Sequence, residues 1–143
     1  MNAMEISRTA LDVEWRRLEV IAQNIANASS TLDGTGAPYQ ALRLLSGPRG
    51  QFASLLSGQK ATTNLQGVAV YSVEQQNLPP RRVYEPTHPQ ADAAGYVSYP
   101  GFDHAAEMAL MVKTSRAYEA NVVALNSARQ MYAKALEIGR RGA

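Results

Sequence analysis

A mainly α-helical chain with a small β part, elongated and not spherical, is the fold class this sequence predicts. Three observations predict it. Glycine and proline are missing from both ends: residues 1–33 and 102–138 contain neither, whereas residues 34–101 hold all seven prolines and eight of the ten glycines. At both ends apolar residues recur every seven positions. Between them, short β-branched and aromatic runs alternate with turn residues, and seven of the ten aromatics fall between Tyr39 and Phe102. The expected architecture is a pair of long terminal helices (residues 1–33 and 102–143) packed as an antiparallel coiled-coil-like core. A central hairpin-and-loop lobe spans residues 34–101.

The first helix is expected over Met4–Ala28. Met4, Leu11, Leu18 and Ile25 fall seven apart, and Trp15, Ile21, Ala22 and Ala28 widen the stripe. The short polar side chains of Asn27, Ser29, Ser30 and Thr31, followed by Asp33-Gly34, end it by competing for backbone hydrogen bonds. Ile6, Val13 and Val20 form a second set with the same spacing, about 200° around the helix at 100° per residue. Two opposed apolar faces require two partners, and the chain offers only one other long helix. The second face is therefore expected to be covered by another chain.

The last helix is expected over Asp103–Ile138, with Asp103 as N-cap, Gly139 just past the end, and Arg140 and Arg141 at the negative pole of the dipole. Its seam is Met111, Tyr118, Leu125 and Tyr132. Leu110, Ala117, Ala124, Met131 and Ile138 run along one flank, and Met108, Val122 and Leu136 along the other; Val112 and Val123 lie outside the band. Thirty-six residues make a rod of about 54 Å, whereas a compact chain of this length has a diameter of about 37 Å. Nine alanines in the span favour close helix–helix approach or simply raise helix propensity. Asn121 sits in a heptad row with Thr114, Ala128 and Ala135, where it either fixes register against a partner or bonds within its own chain. Arg116 and Glu119 are spaced for a surface ion pair.

In the middle, strands are expected at Tyr39–Leu45, Val68–Val73, Arg82–Tyr84 and Tyr96–Tyr99, arranged as hairpins or a small antiparallel sheet. Pro79-Pro80, Pro86, Pro89 and Pro100 forbid helix there. Between Pro38 and Arg82, Arg43, Arg49, Lys60, Arg81 and Arg82 face a single acid, Glu74, making a mildly positive lobe. Arg43, Arg49, Arg81 and Arg82 are its candidate outer contacts.

Chemistry is sparse. With no cysteine, the 143-residue chain has no disulfide scaffold, thiolate metal site or cysteine nucleophile. His88 and His104 do not form a ligand pair. Gly34-Thr-Gly36 lacks the strand, third glycine and Lys-Ser/Thr of a phosphate loop. No GxSxG elbow occurs. Asp92 and Asp103 flank an aromatic stretch as paired carboxylates might, but Asp92 before Gly95 reads as a turn residue. Neither an enzyme nor a cofactor or metal site is expected. A net charge of +2 is too small to mark a nucleic-acid binder. No apolar run is long enough to span a bilayer, and the charged first twenty residues do not read as a cleavable signal.

Two stretches resemble a known family. Ile21-Ala-Gln-Asn-Ile-Ala-Asn-Ala28 is similar to the amino-terminal signature of bacterial flagellar axial proteins, which comprise rod, hook and hook-associated subunits. Ser115-Arg-Ala-Tyr-Glu-Ala-Asn-Val122, leading into Lys134-Ala-Leu-Glu-Ile-Gly-Arg140, resembles their carboxy-terminal signature. The intervening Val83-Tyr-Glu-Pro-Thr-His-Pro-Gln-Ala-Asp-Ala-Ala-Gly-Tyr-Val97, with Pro100 and Glu107-Met108, narrows the resemblance to the proximal-rod type. The resemblance implies a non-enzymatic structural subunit, exported without a cleaved signal through the flagellar type III apparatus into the periplasmic rod. Its implied partners are copies of itself, neighbouring rod proteins and membrane-ring or adaptor proteins at the rod base; nucleic acid and small-molecule substrates are not among them. The terminal helices would form the inner layer of a helical tube. The assembly residues are then Met4, Ile6, Leu11, Val13, Leu18, Val20, Ile21, Asn24 and Ile25 on the first helix. On the last they are Met111, Tyr118, Asn121, Val122, Leu125, Tyr132 and Leu136. Another flagellar axial or rod-base adaptor subunit is an alternative, as is a soluble helical binding module or secretion chaperone, which would be a stable monomer or closed dimer.

Overall fold

The computed structural model describes residues 3–31, 36–49 and 67–141. Helix α1 (Ala3–Ala26) is followed by strands β1 (Leu42–Pro48), β2 (Val68–Gln75), β3 (Arg81–Tyr84) and β4 (Tyr96–Tyr99), then helix α2 (His104–Arg141). Each strand pairs with its sequence neighbour, so the β part is two separate antiparallel hairpins. A bulge between Leu45 and Ser46 interrupts the β1–β2 register. The expected turn at Asp33-Gly34, and Lys60 of the basic lobe, lie outside the described residues.

Helix α1 stops two residues short of Ala28, where the Asn27 amide is shared between the Gln23 and Asn24 carbonyls and the Asn27 side chain donates to the Gln23 carbonyl at 2.8 Å. Helix α2 starts as its cap dictates. Asp103 Oδ1 accepts the Ala105 amide at 2.9 Å, satisfying one of the donors that the first turn leaves without a helical partner. The far end is a correction: α2 does not stop before Gly139 but runs through it to Arg141. Gly139 has ordinary helical φ, unlike Gly36, Gly67 and Gly95, and a glycine that is not left-handed does not terminate a helix. Thirty-eight residues give a rod of about 57 Å beside an α1 of about 36 Å.

The helices run antiparallel. Asn24, near the end of α1, bonds Glu107 near the start of α2, while Trp15 stacks obliquely on Tyr118 at a centroid distance of 6.3 Å. On α1, Met4, Leu11, Leu18 and Ile25 are half-buried and Ile21 is fully buried.

The second face of α1 overturns an expectation. Val13 and Val20 are buried against Leu44 of β1, with Leu42 and Val68 packed alongside. Their cover is the chain's own β1–β2 hairpin and not another subunit. A two-stranded hairpin is marginal by itself; laid on α1, it buries one face while giving the helix its second partner. Polar ties fix this layer. Arg17 donates to Ser46 Oγ at 2.8 Å and to the Leu44 carbonyl at 3.4 Å, and Thr9 Oγ1 accepts the Val68 amide at 3.1 Å. Gly67 makes the last contact possible: its φ is +76°, and a Cβ there would sit 2.3 Å from Thr9 Oγ1.

The β3–β4 hairpin stands apart from the helices. It is anchored at its base, where a Cβ on Gly101 would fall 1.8 Å from the Pro79 carbonyl oxygen, and by a Thr31–Gln90 hydrogen bond. Its turn is organised by Asp92, which accepts the amides of Ala94 and Tyr96 at 2.9 Å each. The Tyr96 amide foremost, then the Ala94 amide and the Arg82 guanidinium, hold the Asp92 carboxyl below the usual carboxylate range.

Gly67→Ala forces a left-handed non-glycine residue into Thr9. We expect it to cost about 1–3 kcal/mol, read as a lowered midpoint in urea or thermal unfolding, whereas Gly139→Ala leaves the midpoint unchanged or raised.

Candidate assembly surface

Two features of the folded chain bear on function: a buried polar node that fixes its elements, and an apolar surface that they leave uncovered. The node centres on Asn24, which is 0% exposed. Its Nδ2 donates to the Leu42 carbonyl at 2.9 Å and to Glu107 Oε2 at 3.1 Å. Its Oδ1 accepts the Leu42 amide at 2.9 Å and the Tyr39 hydroxyl at 3.0 Å. These four bonds exhaust an amide's two donors and two lone pairs. Glu107, 2% exposed, is held by Arg43 Nη2 at 2.8 Å, and Arg43 also donates to Gln76 Oε1 at 3.3 Å. Burial raises the Tyr39 pKa above its ordinary 10.0, and the Glu107 carboxylate pushes it the same way. Among the described residues no buried side-chain nitrogen or oxygen lacks a hydrogen-bond partner.

The basic lobe is more occupied than its composition implies. Arg43 turns to Glu107 at 2.8 Å, with its side chain still 37% exposed. Arg82 is paired with Asp92 and lies 4.8 Å over the Tyr96 ring; Arg81 lies 5.6 Å over Tyr99. Arg49 is exposed. Asn121 donates to the Ala117 carbonyl of its own helix at 2.9 Å, the within-chain alternative, so the register-setting amide inside the chain is Asn24. Glu107 is the residue that periodicity missed, although the signal was there. It lies seven before Thr114 and fourteen before Asn121, in the row facing α1, and an acid on such a row requires a buried cation.

The predicted assembly residues divide by exposure. Val13, Val20, Ile21 and Asn24 are buried within the chain. Met4, Ile6, Leu11, Leu18, Ile25, Met111, Tyr118, Asn121, Val122 and Leu125 are half-buried. Tyr132 and Leu136 are exposed, at 54% and 55%. They belong to a stretch where every described α2 residue from Arg129 onward is exposed, including Met131 and Ile138 at 67% and 74%. Pairing Asn24 with Glu107 and Trp15 with Tyr118 places Ala3 beside about residue 129 at one residue per residue, so α1 runs out there. The last three turns of α2 have no other described element opposite them, and their apolar side chains are bare. Met108, Val112 and Val123 add a second bare stripe on the side of α2 away from α1.

Among the described residues there is no group of three or more potential metal ligands, and no helix is long and apolar enough to cross a membrane. The fold is that of an assembly subunit of the helical axial class. Its helices are tied to each other through Asn24 and Glu107, and one of them leaves large apolar side chains exposed. Residues 93–138 match the family model described as the C-terminal region of flagellar basal body rod FlgEFG proteins. The chain is 37% identical over 140 residues, 98% of each chain, to the flagellar basal-body rod protein FlgC of Salmonella typhimurium. It is 34% identical over 146 residues, 97% of each, to that of Bacillus subtilis. Over 148 residues it is 34% identical to that of Borreliella burgdorferi, covering 96% of this chain and 95% of the relative. The chain belongs to the FlgC family of flagellar basal-body rod proteins.

Asn24→Ala strands both polar groups of Leu42, the Tyr39 hydroxyl and one Glu107 oxygen. A loss of about 2–5 kcal/mol in denaturant unfolding is expected, and Asn24→Asp does not restore it because it brings a second carboxylate to Glu107. Tyr39 holds its proton more tightly folded than unfolded. Its contribution is therefore complete below pH 10 and is lost as pH climbs from 10 through the raised folded value. The alkaline loss of stability should be shallower in Tyr39→Phe, though not abolished. Tyr99, raised chiefly by its hydrogen bond to Glu85, acts in the same direction.

Proposed function

We propose that this chain is a structural subunit of the flagellar proximal rod, assembling through its helices into the shaft that carries torque from motor to hook. Its sequence relatives supply the rod. The observation that carries the assembly role is the bare apolar end of α2. Large apolar side chains left more than half exposed on consecutive turns mark an interaction surface, not a finished monomer. Covering Met131, Tyr132, Leu136 and Ile138 contributes about 1.5–3 kcal/mol each, enough to hold a subunit in a polymer. The partners are copies of the chain and neighbouring rod proteins, with adaptor or membrane-ring proteins at the rod base. Passage to the periplasm uses the flagellar type III apparatus without a cleaved signal, in keeping with the charged first turns of α1.

Torque sets the mechanical requirement. A shaft must not shear between its layers, and closely packed side chains have low compressibility and transmit strain. Inside the chain this requirement is met by the Asn24 node, which ties α1, β1 and α2 at one point. Between chains it falls to the exposed faces of α2. Met4, Leu11, Leu18 and Leu125 support the interface indirectly, by holding the two helices together behind it.

Leu136→Asp and Ile138→Asp separate these roles. Both side chains are exposed in the subunit, so unfolding midpoints should stay within about 0.5 kcal/mol of the parent. Rods should not form, and the swimming halo in soft agar should collapse. Full swimming in both variants would refute the assembly reading. By contrast, Leu18→Asp and Leu125→Asp should lower stability and motility together. Hydrogen exchange gives an independent check: amides of residues 130–141 should exchange as an unprotected helix end in the dilute subunit and become protected in isolated basal bodies.

A further inference from the structure

We infer that the bare end of α2 is also a seat for an anionic lipid surface: in the free chain, residues 129–141 bind the headgroup layer of a bilayer with their apolar face turned toward the acyl chains. This goes beyond the rod-subunit reading and does not depend on it. The two occupants share a face, so on any one molecule they exclude each other.

Charge selects the occupant. Residues 129–141 carry four cations, Arg129, Lys134, Arg140 and Arg141, against one anion, Glu137, a net of +3. The whole chain is +2, so its remainder is −1 in total. A second copy has no acidic face to set against this end. On α1 the row Glu5, Asp12, Glu19 is interleaved with Arg8 and Arg16, and Arg16 holds Glu19 at 2.8 Å. Asp92 is paired with Arg82, and Glu107 is buried on Arg43. Two basic ends would repel each other. An anionic leaflet supplies the missing charge, worth about fivefold in affinity for each cation near its surface.

Shape selects it as well. At 100° per residue, Ile138, Met131, Ala135, Tyr132 and Leu136 fall within an arc of about 160°, and every charged residue from 129 to 140 falls outside it. The seam for one partner helix is narrower; an arc of nearly half the circumference suits a continuous apolar medium. Arg129 and Arg140 border the arc beside Leu136, and Lys134 borders it beside Ile138, each within about 40°. Long cationic side chains at such borders lay their stems on apolar surface and keep their heads among phosphates, as in a helix that lies in a membrane interface. No described helix is long and apolar enough to cross a membrane, so the end rests in one leaflet. Because α1 accompanies α2 as far as about residue 129, the bilayer is met obliquely. Residues 129–140 are about 18 Å long. A tilt of about 30° takes the last turn about 9 Å below the first, into the boundary between headgroups and acyl chains, with α1 left outside.

The test uses the full chain and vesicles of phosphatidylcholine, with or without about one-third phosphatidylglycerol. The protein should sediment with the anionic vesicles and not with pure phosphatidylcholine, and raising salt from about 0.1 M to about 0.5 M should release it. Hydrogen exchange should slow on binding only within residues 129–141. Arg129→Gln with Arg140→Gln should weaken binding about 25-fold, and Leu136→Asp or Ile138→Asp should abolish it. Val123→Asp replaces a side chain that is 65% exposed but lies outside the arc, and it should bind within about twofold of the parent. Equal binding to both kinds of vesicle, or to neither, overturns the inference. Protection of residues 129–141 that follows protein concentration and is not increased by vesicles overturns it too, since the occupant is then a second copy. The rod reading is decided separately: it fails only if Leu136→Asp and Ile138→Asp cells swim, whatever the vesicles show.

Discussion

Asn24 makes the rest of the structure possible because its side-chain amide is saturated by two segments distant in sequence, residues 39–42 and Glu107 of α2. It pairs with both the amide and the carbonyl of Leu42, much as a neighbouring strand would, so β1 meets a helix where another strand would otherwise lie. The same amide reaches Glu107 on α2 and accepts from Tyr39. Moving β1 by one residue, or α2 by one turn, would leave several buried polar groups without partners at about 1–3 kcal/mol each. Apolar packing tolerates such slips far better. The node therefore supplies register, while the valines and leucines around it supply most of the burial.

From that point outward the two helices have different uses. Helix α1 is largely used inside the chain, with Val13 and Val20 under the hairpin, Ile21 fully buried, Leu18 and Ile25 half-buried, and Trp15 exposed over Tyr118 beside charged residues in water. Helix α2 uses only one face and only its first two-thirds. Glu107 reinforces the division: its ion pair with Arg43 ties the base of the β1–β2 hairpin to the start of α2, and among the described residues nothing covers the far end of that helix. The β3–β4 hairpin neither adds to this core nor depends on it. Its order comes from Asp92 in the turn, arginines stacked on tyrosines, and the close approach of Gly101 to Pro79.

What was legible in the sequence was whatever depends on near neighbours. The heptads of α1 and α2, the Asp103 cap, the four strands and the Asp92 turn all follow from residues within a few positions of one another. The cover of Val13 and Val20 was not legible. A seven-residue repeat states that a face is apolar, not which element lies on it, and Leu44 is more than twenty residues further along. The role of Glu107 was hidden for the same reason, since its cation, Arg43, is 64 residues away. Arg43 looked like a surface charge because composition counts charges without their partners. Gly139 misled in the opposite sense: as a stop signal it requires a left-handed backbone, and nothing in its surroundings imposes one.

The different lengths of the two helices then carry a physical consequence. An isolated helical stretch of about twelve residues is marginal in water, because nucleation is costly and each further residue adds little. The projecting end of α2 is about that long and has no tertiary partner among the described residues, so its order depends on whatever covers it. A subunit whose last turns are completed by its neighbour gains folding free energy and contact free energy in the same step, so the two cannot be separated.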